Sequence, residues 1–305
     1  MNIKKEYMRP NDKFKNLSPE FWTNVKLLNK RLGYTRRKSK NNPNSGFIVP
    51  TIKQIVKVFK KEGLNISSLV QAKKLTEFGQ QIVDYMQYRS NVLIQHVKPN
   101  LMNKIQAKEL FDKKRLELTP SCPLPMNKQK GKKKDYAFLT GLVNMLIEAN
   151  IGRKTCNYDP RELTAITING LPVRTLSRRV DGAFPSVKDP QAIWEIKEYY
   201  YTTTFGSRVA DGVYETQLDG WELWEAKTNL GIDISHYLIV DDYYTWWDCG
   251  RSYLCRLIDS MHMGLVTEVI FGKEVVERIP AIVAEWKINL KQSEPDLFTP
   301  VSPTE

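Results

Sequence analysis

The chain has 305 residues, of which 41% are hydrophobic and 10% aromatic. A domain usually has about 100–200 residues, so this length predicts one large domain or two ordinary ones. The composition excludes a wholly disordered or collagen-like chain. No apolar run reaches the ~20 residues of a membrane-spanning helix, and the charged N-terminus does not resemble a signal peptide. With four scattered cysteines, these features predict a cytoplasmic protein without membrane contact.

The positive charge is concentrated in the first part of the chain. The formal net charge is +12; residues 1–135 carry +20 and the remaining residues −8. Clustered Lys and Arg are the electrostatic mark of contact with nucleic-acid phosphates. The asymmetry therefore predicts a half that binds nucleic acid joined to a half with another role. A solvated basic surface is the alternative.

Residues 1–118 are expected to form a basic, mainly α-helical DNA-binding domain. Thr51 and Gln54 have the spacing of a capping box, which predicts the start of a helix that Gly63 ends. A second capping-box pattern begins at Ser68 and predicts another helix. Two helices joined by a short glycine-containing turn are compatible with a helix-turn-helix, although ordinary helical hairpins share this pattern.

Basic side chains of this half follow two patterns. A basic loop precedes the Thr51 helix, and lysines recur along one side of that helix at helical spacing. Either group is suited to contact the DNA backbone or base edges. The predicted DNA-binding residues here are Arg36, Arg37 and Lys38 in the loop, and Lys53, Lys57 and Lys60 on the helix.

A linker is predicted over residues 119–135. Three prolines lie at its start, and proline cannot continue a helix. A lysine-rich run without apolar residues follows them, which is typical of a loop. The second domain is then expected over residues 136–305.

The sequence of this second domain predicts a mixture of helices and strands. Alternating or β-branched apolar residues predict strands, and longer apolar stripes at a period of 3.6 predict helices. The mixture predicts an α/β domain with a mixed sheet flanked by helices. The predicted strands are 164–169, 173–181, 192–200, 236–240 and 266–271, and the predicted helices are 136–150, 207–229, 251–263 and 275–290.

Glu195 and Lys197 lie on the predicted strand 192–200. Because side chains alternate along a strand, both project to the same side. Asp181 ends the preceding predicted strand, and a hairpin brings its carboxylate beside Glu195. Two carboxylates so close repel unless a cation lies between them, and ligands that are all oxygen favour magnesium or manganese. The alternative is a charge pair on a partly exposed strand.

The Glu-x-Lys triplet by itself is not specific. The chain also contains Glu225 with Lys227, and Glu285 with Lys287. Both lie in predicted helices, where residues two apart diverge. Only the triplet at Glu195 combines a strand with a preceding aspartate, so it is the candidate for the site.

The motifs Val180-Asp181-Gly182 and Trp194-Glu195-Ile196-Lys197 resemble the signature of the PD-(D/E)XK nucleases, which have a restriction-endonuclease-like fold. Tyr214-Glu215-Thr216-Gln217-Leu218 is similar to the glutamine-bearing motif of several branches. The order of predicted elements over residues 136–271 also resembles the common core. The sequence departs from the pattern at Val180, where the family has proline.

The resemblance implies a role for each matching residue and Mg²⁺ as the cofactor, for which Mn²⁺ substitutes. For Glu148 and Gln217, a polar surface position is the open alternative. The implied metal ligands are Asp181, Glu195, the main-chain carbonyl of Ile196, and Glu148. The implied catalytic residues are Asp181, Glu195, Lys197 and Gln217. Apart from the resemblance, Arg178 and Arg179 flank Asp181 and are expected to contact DNA phosphates, with a position on the surface of the strand as the alternative.

Together these observations predict a metal-dependent endonuclease that cleaves double-stranded DNA, in the setting of restriction of foreign DNA. We expect it to act as a homodimer, and the absence of a phosphate-binding G-x-x-x-x-G-K-[ST] loop predicts independence from ATP. One alternative is a structure-selective repair, recombination or transposition nuclease of the same fold. Another is a non-catalytic DNA-binding regulator.

Overall fold

The computed structural model describes residues 9–36, 46–129, 132–152, 155–201 and 206–293. Two of the predicted DNA-binding residues, Arg37 and Lys38, lie outside these ranges. No helix in the described ranges is long and apolar enough to cross a membrane.

The first two helices begin and end where capping residues predict. Helix α1 spans Pro19–Leu32, and the Ser18 hydroxyl accepts a hydrogen bond from Phe21 N at its start. Helix α2 spans Ile52–Glu62, and both hydrogen bonds of the Thr51–Gln54 capping box are present. Gly63 ends α2 in the left-handed conformation, with φ 65°, which glycine adopts without steric cost.

The helix predicted at Ser68 is wrong. Strands β1 (Val70–Gln71) and β2 (Lys74–Leu75) form an antiparallel hairpin there. Its two turn residues, Ala72 and Lys73, both have positive φ. The next helix, α3, spans Glu77–Val92, and Thr76 caps it by accepting from Gly79 N. A hairpin therefore separates α2 from α3, and the helix-turn-helix interpretation fails at this point.

Three further helical segments complete the first part of the chain as the structure describes it. A π-helical turn, Leu93–Val97, extends α3 into the short helix α4 (Lys98–Asn100), and α5 spans Lys104–Leu118. Helices α1, α2 and α3 enclose one apolar core, to which Phe14, Phe21, Trp22, Val25, Leu28, Ile55, Phe59, Ile82 and Tyr85 contribute.

An antiparallel ribbon begins within the predicted linker and ends one residue beyond it. Strand β3 (Met126–Gln129) pairs with β4 (Lys132–Tyr136). The ribbon is closed at its base by a hydrogen bond from Ala137 N to Pro125 O of 2.9 Å. The preceding prolines are held as well, because Asn144 Nδ2 donates to Pro123 O. The segment before residue 136 is therefore attached to the second half of the chain.

A five-stranded mixed sheet forms the centre of the second half. Its strands lie in the order β11, β10, β9, β8, β5. Strand β9 is parallel to β10 but antiparallel to β8, while β10 is parallel to β11 and β5 antiparallel to β8. The strands are β5 (Asn157–Tyr158), β8 (Gly182–Phe184), β9 (Ala192–Glu198), β10 (Ser235–Asp241) and β11 (Glu268–Phe271).

Helices cover both faces of this sheet. One face packs on α5, α6 (Phe138–Ile151) and α9 (Val275–Ser293) through an apolar core. The other packs on α7 (Ser207–Leu230) and α8 (Arg251–His262). The predicted α/β class, with a mixed sheet flanked by helices, is confirmed.

The chain before β8 differs from the predicted strand 173–181. Strands β6 (Ala165–Ile168) and β7 (Leu171–Thr175) form a separate hairpin, and a loop leads from it to β8. Asp181 therefore comes immediately before β8 and does not end a longer strand. A side chain at Gly182 would lie 2.0 Å from Trp194 Cζ2, so only glycine lets β8 approach β9 at this point.

Candidate active site

The structure brings Asp181, Glu195 and Lys197 together where β8 begins beside β9. Lys197 Nζ lies 3.0 Å from Glu195 Oε2, as the alternation along β9 predicts. Asp181 Oδ2 accepts a hydrogen bond of 2.7 Å from Ile196 N. This bond fixes the Asp181 carboxylate against the strand that carries the other two residues.

Helix α7 adds two carboxylates that the sequence analysis did not single out. Glu215 Oε2 accepts a hydrogen bond of 2.9 Å from Lys197 Nζ. Asp219, one helical turn further on, has Oδ2 at 2.5 Å from Arg178 Nη1. Residues four apart lie on one helix face, and this face of α7 covers Glu195. The i, i+4 spacing of acidic residues was the available signal, but the sequence does not reveal which face meets the sheet.

Arg178 lies among these acidic side chains. Its Nη1 is 3.0 Å from Glu195 Oε1, and its Nη2 is 3.0 Å from Glu195 Oε2 and 3.5 Å from Glu215 Oε2. Two cations, Arg178 and Lys197, therefore share the Glu195 carboxylate. We call Asp181, Glu195, Glu215, Asp219, Arg178 and Lys197 the carboxylate cluster.

Burial shifts the titration of the cluster. Glu195 and Asp219 are both 0% exposed. Burial and the nearby charge of Glu195 raise the pKa of Asp181 to about 6. Burial, despite the Arg178 charge, raises the pKa of Asp219 to about 7. Burial disfavours the Lys197 ammonium, but the charges of Glu195 and Asp181 outweigh it and raise the pKa of Lys197.

The charge of the cluster fits one divalent cation. With its four carboxylates ionised, their charge exceeds that of Arg178 and Lys197 by two. Two buried oxygens, Glu195 Oε1 and Asp219 Oδ1, have no hydrogen-bond donor, and buried oxygens of this kind normally have a partner.

No group of three or more His, Cys, Asp and Glu side chains in the described ranges is arranged as a metal site. Of the ligands that the resemblance implies, Asp181, Glu195 and the main-chain carbonyl of Ile196 lie here and include only two such side chains, whereas the fourth, Glu148, binds Ser121 instead.

Two cavities meet at Asp181. One, of 610 Å³, is lined by Asp181, Lys197, Glu198 and the start of α6. The other, of 540 Å³, is lined by Asp181, Arg178 and Arg179. Asp159 lines both. The cluster therefore borders an open depression with a basic rim on one side.

Glu198 fixes the wall of the larger cavity. It accepts hydrogen bonds from Leu139 N at 2.7 Å and from Thr140 Oγ1 at 3.2 Å. These groups belong to the first turn of α6, whose own N-cap residue, Ala137, has no capping side chain. Glu198 thus satisfies the helix start from a neighbouring strand, and burial raises the pKa of Glu198 to about 7.

A known protein family matches the part of the chain that contains this site. The model described as "Domain of unknown function (DUF7687)" matches residues 102–286. The chain belongs to this family. A second model, "Domain of unknown function (DUF7690)", matches residues 8–96. No curated protein and no solved structure matches the chain.

The carboxylate cluster lies entirely within the DUF7687 match. That match also includes α5 and the β3–β4 ribbon, and the two matches divide the chain between residues 96 and 102. The domain boundaries that the sequence predicts, at residues 118 and 135, stay a prediction.

Two residues predicted for the site have other partners in this DUF7687 member. Glu148 accepts hydrogen bonds from the backbone and hydroxyl of Ser121, in the segment that leads to the ribbon. Gln217 Nε2 donates to Ser260 Oγ of α8 at 2.9 Å. Gln217 is two residues from both Glu215 and Asp219, and this spacing turns it away from the face of α7 that meets Lys197.

The predicted DNA-binding residues divide into two groups. Arg178, expected to contact phosphates, instead turns toward the carboxylates of the cluster. The other described members, Arg36, Lys53, Lys57, Lys60 and Arg179, are exposed.

Proposed function

We propose that the chain is a metal-dependent endonuclease that hydrolyses phosphodiester bonds of double-stranded DNA. The observation that carries this proposal is the juxtaposition of Asp181, Glu195 and Lys197 at the start of β8, beside a cavity. Two carboxylates next to an ammonium combine a cation site with a group that stabilises phosphoryl charge.

The residues have separate roles in this proposal. Asp181 and Glu195, with the main-chain carbonyl of Ile196, would hold Mg²⁺ or Mn²⁺. When bound, such a cation supplies a more acidic water and polarises a phosphoryl oxygen. Lys197 holds its proton and presents a positive charge to the developing negative charge of the phosphate. Glu215 keeps the ammonium in place through its hydrogen bond of 2.9 Å.

The arrangement of elements supports a restriction-endonuclease-like core. Helix α6 precedes the antiparallel strands β8 and β9, and α7 then crosses over to the parallel strand β10. The motif resemblance described above spans the same elements. Restriction of foreign DNA is the setting that this resemblance favours, and a homodimer would provide one site for each DNA strand.

The cofactor requirement gives the first test. We expect nicking and linearisation of plasmid DNA with Mg²⁺ or Mn²⁺, no cleavage in excess chelator, and no effect of ATP. Ca²⁺ should support DNA binding but little cleavage, because its looser coordination positions a water poorly. The measurement is a plasmid assay, with Glu195→Gln protein purified in parallel to control for contaminating nucleases. Cleavage that persists in excess EDTA would contradict the metal-dependent mechanism.

The exposed lysines of α2 give a test of DNA contact. Each Lys that releases a counterion from duplex DNA contributes about one unit to the slope of log affinity against log salt. Replacing Lys53, Lys57 and Lys60 with Ala should therefore reduce this slope by up to about three units. The measurement is a DNA-binding titration with Ca²⁺ at several salt concentrations.

A matched control removes the same charge elsewhere. Lys13, Lys15 and Lys227 each pair with an aspartate, so their replacement with Ala should change the slope much less. If the α2 lysines read bases, affinity should fall mainly on the preferred sequence. Equal slopes and affinities in the α2 variant and the wild type would remove α2 from the DNA interface.

A further inference from the structure

We infer that Arg178 is an internal counter-ion that competes with the divalent cation for Glu195, and so sets how tightly the site binds metal. This inference deepens the proposed function and rests on its metal site. It gives Arg178 a role other than the phosphate contact that its neighbourhood in the sequence suggests.

The contacts of Arg178 carry the inference. One guanidinium lies within 3.5 Å of three carboxylates, those of Glu195, Glu215 and Asp219. Glu195 and Asp219 are fully buried, whereas the Arg178 side chain is 23% exposed. Arg178 therefore covers two buried carboxylates from the side that opens to the smaller cavity, which it lines.

Arg178 does not satisfy all the oxygens that it covers. Glu195 Oε1 lies 3.0 Å from Arg178 Nη1 without the geometry of a hydrogen bond, and Asp219 Oδ1 has no donor. A guanidinium directs its donors in a rigid planar fork, which cannot align with every carboxylate around it. The contacts of a metal ion are not confined to such a plane, so a metal ion can bind a carboxylate oxygen that accepts no hydrogen bond from the guanidinium.

The loop that carries Arg178 is anchored on both sides. Ser177 N and Ser177 Oγ donate to the Glu222 carboxylate of α7 at 3.0 and 2.6 Å, and Asp181 N donates to Trp194 O. Because the backbone is held, the contact between Arg178 and Glu195 can be broken by movement of the Arg178 side chain alone, while Lys197 stays 3.0 Å from Glu195 Oε2. Replacing that side chain should therefore alter the charge at the site while the loop keeps its position.

The test compares Arg178→Gln with a matched variant, Arg174→Gln. Arg174 also bridges to α7, but its partners are Glu222 and Glu225, outside the carboxylate cluster. Mn²⁺ binding is measured by calorimetry on the full chain without DNA. Removing one positive charge beside Glu195 should tighten Mn²⁺ binding by about tenfold or more, and Arg174→Gln should bind as the wild type does. Equal or weaker binding by Arg178→Gln overturns the inference.

Loss of Arg178 leaves buried carboxylates without a counter-ion, so the variant should be less stable. Thermal unfolding with and without Mn²⁺ covers this case, because a ligand of the folded state stabilises it according to its affinity. Mn²⁺ should raise the melting temperature of Arg178→Gln more than that of the wild type. An equal rise, or none in either protein, overturns the inference.

The outcomes for the inference and for the proposed function are separate. If the wild type cleaves DNA but binds Mn²⁺ with the same affinity as Arg178→Gln, the inference about Arg178 is wrong and the proposed nuclease function stands. If Arg178→Gln binds Mn²⁺ more tightly but the wild type cleaves DNA with no metal tested, the inference about Arg178 stands and the proposed nuclease function is wrong.

Discussion

Replacing Glu195 with Gln, or Lys197 with Met, should lower plasmid cleavage by about 10²–10³-fold or more, since the first change removes a proposed ligand of the cation and the second removes the positive charge proposed to act on the phosphate. Asp181→Asn should have a similar effect, because Asp181 would share the cation with Glu195. Rates are measured from plasmid nicking at saturating Mg²⁺. DNA binding in Ca²⁺ should change little, because the α2 lysines that we propose to contact DNA lie on another element.

The second Glu-x-Lys triplet supplies the control. Glu225 is on α7 and pairs with Arg174 rather than with the cluster, so Glu225→Gln should cleave like the wild type. Residues that act as a unit are strongly non-additive. A protein with both Glu195→Gln and Lys197→Met should therefore be only slightly slower than either single variant. Normal cleavage by Glu195→Gln together with its loss in Glu225→Gln would show that the wrong triplet had been chosen.

The parts of the fold that follow from local chemistry could be predicted. A capping box and a C-terminal glycine bound α2, and period-2 alternation placed Glu195 and Lys197 on one side of β9. The same reasoning gives a wrong prediction at Ser68. The capping-box spacing there predicts a helix, but the segment that follows forms a tight hairpin turn. The turn at Ala72 and Lys73 uses positive φ values that neither residue type favours, so the sequence carries no glycine or asparagine signal for it.

Contacts between helices and strands that are distant in the sequence could not be predicted from such local patterns. Asp181, Glu195 and Lys197 could be grouped because Asp181 directly precedes β8 and the other two lie on the neighbouring strand β9. Gln217 and Glu215 are two residues apart on α7, and about 200° of rotation separates them. Which of them meets Lys197 depends on how α7 packs against the sheet, and the core that decides this is assembled from distant residues. The inward position of Arg178 has the same cause, since its partner Asp219 lies on that helix.

Arg89→Ala should destabilise the folded protein by about 3–5 kcal/mol, the usual cost of leaving one member of a buried ion pair alone. Arg89 is 1% exposed and donates to both carboxylate oxygens of Asp259, at 2.8 and 2.9 Å. It also donates to Asn29 of α1, and Tyr85 OH donates to the same carboxylate at 2.6 Å. The measurement is urea unfolding extrapolated to water, fitted to one transition for the wild type and to the sum of two transitions for a variant whose probes give different midpoints.

A surface pair provides the comparison for this prediction. Lys108 and Asp112 form an exposed i, i+4 ion pair on α5, and exposed pairs contribute little. Asp112→Ala should therefore leave the unfolding midpoint almost unchanged. Replacing Arg89 and Asp259 together with Met and Leu should recover much of the loss from Arg89→Ala, because no buried charge then lacks a partner. A double variant less stable than Arg89→Ala would contradict this explanation.

The position of this pair also bears on cooperativity. Arg89 lies within the DUF7690 match and Asp259 within the DUF7687 match, so their hydrogen bonds join the two parts of the chain. Helix α8, which carries Asp259, also holds Ser260, the partner of Gln217 on α7. If these contacts couple the two parts, the wild type should unfold in one transition and Arg89→Ala in two. Tryptophan fluorescence and far-UV circular dichroism would then give different midpoints for the variant. Coincident midpoints in both proteins would show that the apolar contacts between the two parts are sufficient to couple them without this ion pair.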